Sequence, residues 1–253
     1  MYNLEETSIK NKNALVTGSA KGIGSAIALR LAEKGARTVV NYKASQKEAD
    51  DLVNTIQSAG GQAMAVQADV SDLSQVVAML EEIGNIWGNI DILVNNAGII
   101  RDGLLVRMSD DAWDDVINTN LNGTFYCTRA VLRSMLSKRW GRIINIGSVV
   151  GIRGNAGQSN YTASKSAIIG FGKALAKEVA TRGITVNTVN PGYLETETTS
   201  ILTQSQKDYW LSVIPQGRFG EVDDIAHLVA FLADDNAKYI TGQVISVDGG
   251  MAV

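Results

Sequence analysis

Apolar and polar positions along this chain follow two alternating patterns. Short runs rich in β-branched residues stand between longer stretches whose apolar residues recur at helical spacing. The predicted strands are Ala14–Thr17, Thr38–Asn41, Ala63–Gln67, Ile92–Asn95, Ile143–Ile146, Thr185–Asn190 and Val244–Val247. The predicted helices are Gly24–Lys34, Gln46–Ala59, Leu73–Ile83, Asp110–Ser137, Tyr161–Arg182 and Val222–Ala233. This alternation predicts βαβ units, and so an α/β fold with about seven parallel strands and helices on both faces of the sheet.

The chain shows no internal boundary. No linker rich in proline, glycine or serine divides it, and its two prolines are Pro191 and Pro215. We therefore predict one continuous domain over residues 1–253. The longest segment without a predicted strand, 192–220, is polar, and we expect a helix within it. Its length indicates a lid over a substrate site, with an ordinary surface excursion as the alternative.

Composition narrows the class of protein. A chain of 253 residues with 45% hydrophobic residues can bury a large core, and its net charge of −3 argues against binding nucleic acid or an anionic membrane. One cysteine, Cys127, and one histidine, His227, provide neither an intrachain disulfide nor a zinc site, so no metal is expected. We interpret Cys127 as a buried apolar residue and His227 as a packed or interface residue. With no stretch near the roughly 20 apolar residues of a membrane span, we expect a soluble cytoplasmic protein.

A glycine-rich turn follows the first predicted strand and opens the first helix. It reads Thr17-Gly18-Ser19-Ala20-Lys21-Gly22-Ile23-Gly24. Glycines let the backbone turn sharply and approach a pyrophosphate, whose charge is met by N–H groups at the helix N-terminus. The predicted cofactor contacts in this turn are Gly18, Ser19, Lys21, Gly22, Ile23 and Gly24. A purely structural βα connection is the alternative.

The residues after the second strand distinguish between the two nicotinamide dinucleotides. An NAD-binding fold usually places Asp or Glu there for the ribose hydroxyls, but this chain has Asn41 and Lys43, and its first acid is Glu48. Lys21 and Lys43 would approach a 2′-phosphate, and Ser45 would donate a hydrogen bond to it. NADP(H) is therefore favoured over NAD(H), unless both lysines are merely solvated.

The third predicted strand is followed by Asp69 and Val70. The Asp69 carboxylate is a candidate adenine contact, accepting a hydrogen bond from the amino group of the base. It could equally cap the next helix, which begins nearby.

Tyr161 and Lys165 stand four residues apart in a predicted helix. This spacing places a phenol and an ammonium one turn apart on the same face. An isolated phenol has a pKa of about 10, and a fixed positive charge beside it favours the phenolate and lowers that pKa. The pair is therefore a candidate acid, and a solvated surface pair is the alternative.

These motifs occur in the order typical of one family. They are Thr17-Gly18…Gly22-Ile23-Gly24, Asn95-Asn96-Ala97-Gly98, Asn120, Ser148, Tyr161, Lys165, Pro191-Gly192 and Val247-Asp248-Gly249-Gly250. The chain resembles the short-chain dehydrogenase/reductases from Asn13 to about Met251, and among them the bacterial-type 3-oxoacyl-(acyl-carrier-protein) reductases. The subfamily likeness depends on the runs around Gly141–Gly151 and Ala156–Tyr161. The resemblance implies a Rossmann-type doubly wound sheet.

The resemblance also implies a role for each member of a catalytic tetrad. Tyr161 would donate a proton to a substrate carbonyl, Lys165 would lower the phenol pKa and hold the nicotinamide ribose, and Ser148 would hydrogen-bond the carbonyl. Asn120 would lie at a local helix distortion, where its backbone carbonyl holds a water linked to Lys165. Taken singly, Ser148 could be a turn hydroxyl and Asn120 an ordinary helix residue. Further cofactor contacts are implied for Asn96, Ala97, Gly98, Tyr161, Lys165, Pro191, Gly192 and Thr196.

The partners implied by the resemblance are an acyl-carrier protein and further copies of this chain. An acyl-carrier protein is acidic, so Arg139 and Arg182 would form its docking site. Basic residues that stabilise helix C-termini are the alternative. The helices Asp110–Ser137 and Tyr161–Arg182 carry more apolar residues than one sheet contact needs, and the resemblance implies that they pair between subunits into a homotetramer.

Three functions are consistent with the sequence. The first is NADPH-dependent reduction of 3-oxoacyl thioesters on acyl-carrier protein, in fatty acid synthesis. The second is oxidation or reduction of a free ketone, sugar or polyol on the same fold. The third is a nucleotide-binding regulatory protein without turnover, which an intact tetrad argues against.

Overall fold

A seven-stranded parallel sheet forms the centre of the molecule. The computed structural model of the chain describes residues 7–195 and 203–252. The strands are β1 Asn13–Val16, β2 Arg37–Tyr42, β3 Gln62–Gln67, β4 Ile92–Asn95, β5 Gly141–Ile146, β6 Ile184–Pro191 and β7 Val244–Val247. Their order is β3-β2-β1-β4-β5-β6-β7, and every neighbouring pair is parallel. The order reverses between β1 and β4, where doubly wound sheets bind their ligands.

Helices connect the strands and cover the sheet. They are α1 Gly22–Glu33, α2 Gln46–Ser58, α3 Leu73–Trp87, α4 Asp110–Val116, α5 Gly123–Lys138, α6 Val150–Arg153, α7 Ser159–Val179, α8 Gln204–Val213 and α9 Val222–Ala233. A π-helical turn, Ile117–Asn122, joins α4 to α5. Local chemistry fixes several ends: the Asp72 carboxylate caps α3, and Thr203 with Gln206 forms a capping box on α8.

Alternate residues of each strand enter two separate cores. In β1, Ala14 and Val16 pack with α1 and α9 on one face, where Ile27 and Ile225 are fully buried. Leu15 points to the opposite face and packs with α3, α5 and α7. Because successive side chains of a strand point to opposite faces, a sheet covered on both sides needs apolar residues at every position. This explains the uninterrupted apolar runs of the central strands.

The predicted fold is confirmed, with differences at helix boundaries. All seven predicted strands are present, each within two residues of its predicted ends. The predicted helix Asp110–Ser137 is not continuous, because the π turn interrupts it. The helix expected inside 192–220 is α8, and the lid stays a prediction because residues 196–202 lie outside the described residues.

The described residues contain neither a candidate metal site nor a candidate membrane span. Among residues 7–195 and 203–252, no group of three or more His, Cys, Asp or Glu side chains is arranged to hold a metal ion. Over the same part of the chain, no helix is long and apolar enough to span a membrane.

Candidate active site

A cleft of about 790 Å³ runs along the carboxyl edge of the sheet. It crosses the point between β1 and β4 where the strand order reverses. The predicted residues that line it are Gly18, Lys21, Gly22, Ile23, Gly24, Asn41, Lys43, Asp69, Val70, Asn96, Ala97, Gly98, Ser148, Tyr161, Lys165, Pro191 and Gly192. Residues distant in sequence meet here because parallel strands end at the same edge.

The glycine-rich turn is shaped by close backbone contacts. Gly18 has φ +60°, and a side chain at Gly24 would lie 2.5 Å from the Asn96 amide nitrogen and 2.7 Å from the Gly18 carbonyl oxygen. Asn96 Nδ2 donates to the carbonyls of Thr17 and Gly18 at 2.9 and 3.0 Å. The Asn96 segment after β4 therefore holds the turn after β1, which explains why both motifs occur together.

The open part of this turn faces the N-terminus of α1. Gly22 has φ +58°, and a side chain there would meet nothing within 4 Å. No acidic residue occupies the first turn of α1, and its N-cap, Lys21, makes no side-chain cap bond. Free N–H groups, the positive end of the helix dipole and open space suit a pyrophosphate.

Asn41 connects the end of β2 to its surroundings through its whole amide. Its Oδ1 accepts from the Gly18 N–H at 3.1 Å, and its Nδ2 donates to the carbonyls of Val66 and Ala68 at 3.3 and 3.1 Å. A carboxylate at this position could not donate to those two carbonyls. Asn41 is thus a neutral residue fixed by structure at the position where NAD-binding folds usually carry an acid.

Both lysines predicted to face a 2′-phosphate already contact carboxylates. Lys21 Nζ lies 2.6 Å from Glu48, and Lys43 Nζ lies 2.6 Å from Asp69. Burial raises the pKa of Asp69, but hydrogen bonds from Lys43 and Ser71 outweigh it, and the pKa lies below its ordinary value. The lysines are not merely solvated, and an incoming phosphate would have to compete with these carboxylates.

Asp69 does not cap the helix that follows it. Its Oδ1 accepts from the backbone and hydroxyl of Ser71 at 2.9 and 2.7 Å, while Asp72 caps α3 through Ser74 and Gln75. The capping alternative is therefore wrong, and the Asp69 side chain lines the cleft.

Ser148 is held in position by Gly147 and Asn190. The Ser148 N–H donates to Asn190 Oδ1 at 3.1 Å, and Ser148 Oγ accepts from the Val150 N–H at 3.1 Å. A Cβ on Gly147 would lie 1.9 Å from Asn190 Oδ1, so the sequence needs glycine there. One lone pair of Oγ is occupied by a backbone N–H, so the Ser148 hydrogen is directed elsewhere. The Ser148 hydroxyl lies near enough to the Tyr161 phenol to favour a lower pKa there.

The Tyr161 hydroxyl lies in a buried environment that opposes its ionisation. Burial raises the pKa of Tyr161, and the negative charge of Asp102 raises it further. The neighbouring Ser148 hydroxyl acts in the opposite direction and lowers it. The expected lowering by Lys165 is not found. The reason is geometric, because Lys165 Nζ donates to the Ile146 carbonyl at 2.8 Å and lies 5.6 Å from the Tyr161 ring centre.

Lys165 is itself perturbed. It is only 4% exposed, and burial lowers its pKa to about 8. A side chain at Gly98 would lie 3.5 Å from Lys165 Nζ and 3.3 Å from Asn120 Oδ1, so these three residues converge at the back of the cleft. Lys165 is therefore mostly a cation at neutral pH, but one that titrates close to it.

Asn120 lies in the π turn Ile117–Asn122, as the expected helix distortion required. Its Oδ1 accepts from the Ile99 N–H at 2.8 Å, and its Nδ2 donates to the Ile99 carbonyl and to Ser164 Oγ, both at 3.1 Å. Its backbone carbonyl accepts from the Thr124 hydroxyl at 2.7 Å. Asn120 is thus bonded through its side chain to the loop after β4.

The chain is similar to known proteins over almost its whole length. A family model described as enoyl-(acyl carrier protein) reductase matches residues 18–252. The chain belongs to the short-chain dehydrogenase/reductase family. It is 51% identical over 240 residues to the 3-oxoacyl-(acyl-carrier-protein) reductase FabG of Staphylococcus aureus, covering 95% of this chain and 98% of that protein. The same enzyme from Haemophilus influenzae is 51% identical over 243 residues, covering 96% and 99%, and that from Pseudomonas aeruginosa is 50% identical over 244, covering 96% and 98%.

Several predicted contacts of this short-chain dehydrogenase/reductase do not line the cleft. Ser19 is fully buried, and its hydroxyl donates to the Val16 carbonyl at 2.7 Å. Ser45 is the N-cap residue of α2 and is absent from the cleft lining. Thr196 lies outside the described residues. Sequence position alone placed Ser19 in the turn but could not show that its side chain points inward.

The sequence analysis missed three residues that shape the site. Gly147 and Asn190 position Ser148, and the only sequence signal was their place immediately before Ser148 and Pro191. Asp102, in the loop after β4, lies close enough to influence Tyr161 and accepts from Gln158 Nε2 at 2.9 Å. No local pattern marked it.

The predicted docking arginines lie at the opposite edge of the sheet. Arg139 ends α5 and donates to the Thr181 carbonyl at 2.8 Å, beside Arg182. Both precede the first residues of β5 and β6, whereas Ser148 follows the last residue of β5. Six residues of strand span about 20 Å, so this patch does not border the cleft of its own chain.

The remaining candidates stay outside the chemistry. Cys127 is fully buried in the core with α3 and α5, and burial raises its thiol pKa to about 12. It is inert apolar packing, as expected. His227 is exposed on α9 at the surface of this short-chain dehydrogenase/reductase.

Proposed function

We propose that this protein reduces 3-oxoacyl thioesters on acyl-carrier protein to (3R)-3-hydroxyacyl thioesters in cytoplasmic fatty acid synthesis, with NADPH as the reductant. The observation that carries the proposal is that Ser148, Tyr161 and Lys165 line the same cleft as the glycine-rich turn. Close identity to curated reductases over nearly the whole chain supports the same substrate class.

Ser148 and Tyr161 supply the proton chemistry. The Ser148 hydroxyl, whose oxygen accepts from the Val150 N–H, would donate to the substrate carbonyl oxygen. The Tyr161 hydroxyl, kept neutral by burial, would transfer its proton to the same oxygen as negative charge develops there. Bound NADPH supplies the hydride to the carbonyl carbon.

Lys165 and Asn120 would assist the proton transfer from Tyr161. The Lys165 ammonium would return a proton toward the phenolate that remains on Tyr161 once its proton has gone. We propose that the Asn120 backbone carbonyl holds a water that connects Lys165 to solvent. The convergence of Gly98, Asn120 and Lys165 supports this path.

The residues around the first turn suit a dinucleotide, and those beside it suit a 2′-phosphate. Gly22 and the N-terminus of α1 would receive the pyrophosphate, and Lys43 would exchange its contact with Asp69 for the phosphate. The neutral Asn41 offers no carboxylate to the ribose hydroxyls of NADH. These features together favour NADP(H), although each lysine first has to leave a carboxylate.

The docking proposal requires a second copy of the chain. Because Arg139 and Arg182 lie at the edge opposite their own cleft, they would serve the cleft of a neighbouring subunit packed in the opposite direction. This agrees with the proposed homotetramer through α5 and α7. A monomeric mass by light scattering at micromolar concentration would contradict the tetramer and, with it, this docking geometry.

Docking can be tested by charge reversal. Arg139→Glu with Arg182→Glu should raise KM for the carrier-bound substrate and spare a small ketone, and rising salt should reproduce the loss in the wild type. Lys177→Glu with Lys238→Glu is the charge-matched control. Equal losses on carrier-bound and free substrates would show that the arginines serve assembly instead.

The reaction itself is tested by following NADPH and NADH consumption. The panel contains acetoacetyl-carrier protein, acetoacetyl-coenzyme A and simple diketones. The proposal expects the carrier-bound substrate with NADPH to give the highest kcat/KM. Higher kcat/KM on a free ketone would assign the protein to reduction of small carbonyl compounds.

A further inference from the structure

A second, smaller recess lies directly beside the Ser148 loop. Its volume is about 110 Å³, and Val149 and Val150, which follow Ser148 in sequence, form one wall. Val213 of α8 and Met251 near the end of the described chain form others. Val149, Val213 and Met251 belong to an apolar cluster separate from both cores of the sheet.

An aromatic stack closes this recess. The rings of Tyr193 and Trp210 lie 4.0 Å apart at an angle of 25°, and Tyr209 meets Trp210 edge-on at 5.0 Å. Stacked aromatic rings hold each other in position and lose little conformational freedom on contact with a ligand. The wall formed by Tyr193 and Trp210 is therefore stiff compared with the aliphatic side chains opposite it.

The recess adjoins the loop that carries one of the reacting hydroxyls, Ser148. The Val150 N–H, on the recess wall, donates to Ser148 Oγ at 3.1 Å. The charge of Asp102 influences the phenols of both Tyr161 and Tyr193, which places them on the same side of the site. A carbonyl bound by Ser148 and Tyr161 would thus have this recess, whose wall is partly apolar and partly polar, next to its carbon.

We propose that this recess holds the acyl chain beyond the 3-oxo carbon and that the Tyr193–Trp210 wall limits its length. This inference rests on the proposed function. A water-sized group takes about 30 Å³, and a methylene is of similar size, so the recess of about 110 Å³ holds about four such groups. Four groups beyond carbon 3 end at carbon 7, so the preferred substrates are 3-oxoacyl groups of four to seven carbons.

Length selection beyond this limit has a simple physical origin. Each methylene moved from water to the recess should raise kcat/KM about fourfold. The gain ends where the chain meets the aromatic wall, because a longer chain must bend back to solvent. Arg153, which lines the recess and is itself exposed, makes that exit polar.

The test uses 3-oxoacyl N-acetylcysteamine thioesters of four to twelve carbons, which remove carrier docking from the measurement. In the wild type, kcat/KM should rise to about seven carbons and then level or fall. Trp210→Ala should move this break to ten or twelve carbons, and Val213→Phe, which fills the recess, should move it to six or fewer. The readout is the position of the break within each series, so a uniform loss of activity does not imitate it.

A matched control separates the wall from tryptophan content. Trp87, at the end of α3 on the opposite edge of the sheet, is replaced by alanine. Trp87→Ala should keep the wild-type break. A break that stays in place in both Trp210→Ala and Val213→Phe, or a wild-type series without a break, would overturn the inference.

A second measurement keeps the inference independent of turnover. Calorimetric titration of 3-hydroxyacyl thioesters of the same lengths, with NADPH present so that no hydride acceptor is available, should show the same break in affinity. If no thioester is reduced but this break appears, the proposed function fails and the recess stands. If thioesters are reduced and affinity shows no break, the recess fails and the proposed function stands.

Discussion

Replacing Gly147 with alanine tests how the fold positions Ser148. A Cβ at Gly147 would lie 1.9 Å from Asn190 Oδ1, where ordinary contact begins near 3.4 Å. Asn190 would have to withdraw by about 1.5 Å, which breaks its 3.1 Å bond from the Ser148 N–H. An amide flip offers no relief, because it would turn the Asn190 NH2 group toward that same N–H.

The expected losses follow from that broken bond. A buried N–H without a partner costs about 1–3 kcal/mol, and a chain of this length loses about 2–4 °C in Tm per kcal/mol. We therefore expect Tm to fall by about 2–12 °C. Because Ser148 shifts with its backbone, kcat should fall about a hundredfold.

Differential scanning calorimetry and NADPH oxidation measure the two effects. Gly84→Ala is the matched control: Gly84 lies inside α3, a Cβ there would meet nothing within 4 Å, and alanine should stabilise the helix by up to about 1 kcal/mol. If Gly147→Ala kept Tm within about 1 °C and kcat within about twofold of wild type, values smaller than any broken buried bond allows, the positioning argument would be refuted.

Three further predictions concern the proposed chemistry. Tyr161→Phe should lower kcat by about 10²–10⁴-fold while cofactor affinity is kept. The control is Tyr239→Phe, at a 99% exposed position. Retention of more than about a tenth of wild-type kcat would exclude Tyr161 as the acid. Burial lowers the pKa of Lys165 to about 8, so kcat should fall as the pH rises through about 8 and the ammonium loses its proton. A pH profile of kcat that stays flat to about pH 10 would contradict a role of the Lys165 ammonium in proton transfer. Lys43→Ala should weaken NADPH binding more than NADH binding in calorimetric titrations, with Lys177→Ala as the control. An equal loss of affinity for both nucleotides would exclude Lys43 from the 2′-phosphate site.

Local pattern was sufficient to predict the strands, the first turn and the order of motifs. Strand periodicity is set by burial on both faces of the sheet, which the apolar runs record directly. The turn before α1 needs glycines for reasons of backbone conformation, and Gly18 and Gly22 do have positive φ. The four-residue spacing of Tyr161 and Lys165 likewise fixes one helical face. Each of these inferences depends on neighbours along the chain.

Tertiary structure decided what depends on residues distant in sequence. Lys43 meets Asp69 only because β2 and β3 end side by side, and burial sets the pKa of Tyr161 because several segments close over it. Arg139 reaches the Thr181 carbonyl beside Arg182, yet both arginines lie at the far edge because their helices run opposite to the strands. A sequence shows which side chains are present, whereas distances, partners and desolvation arise only when the sheet brings its connections together.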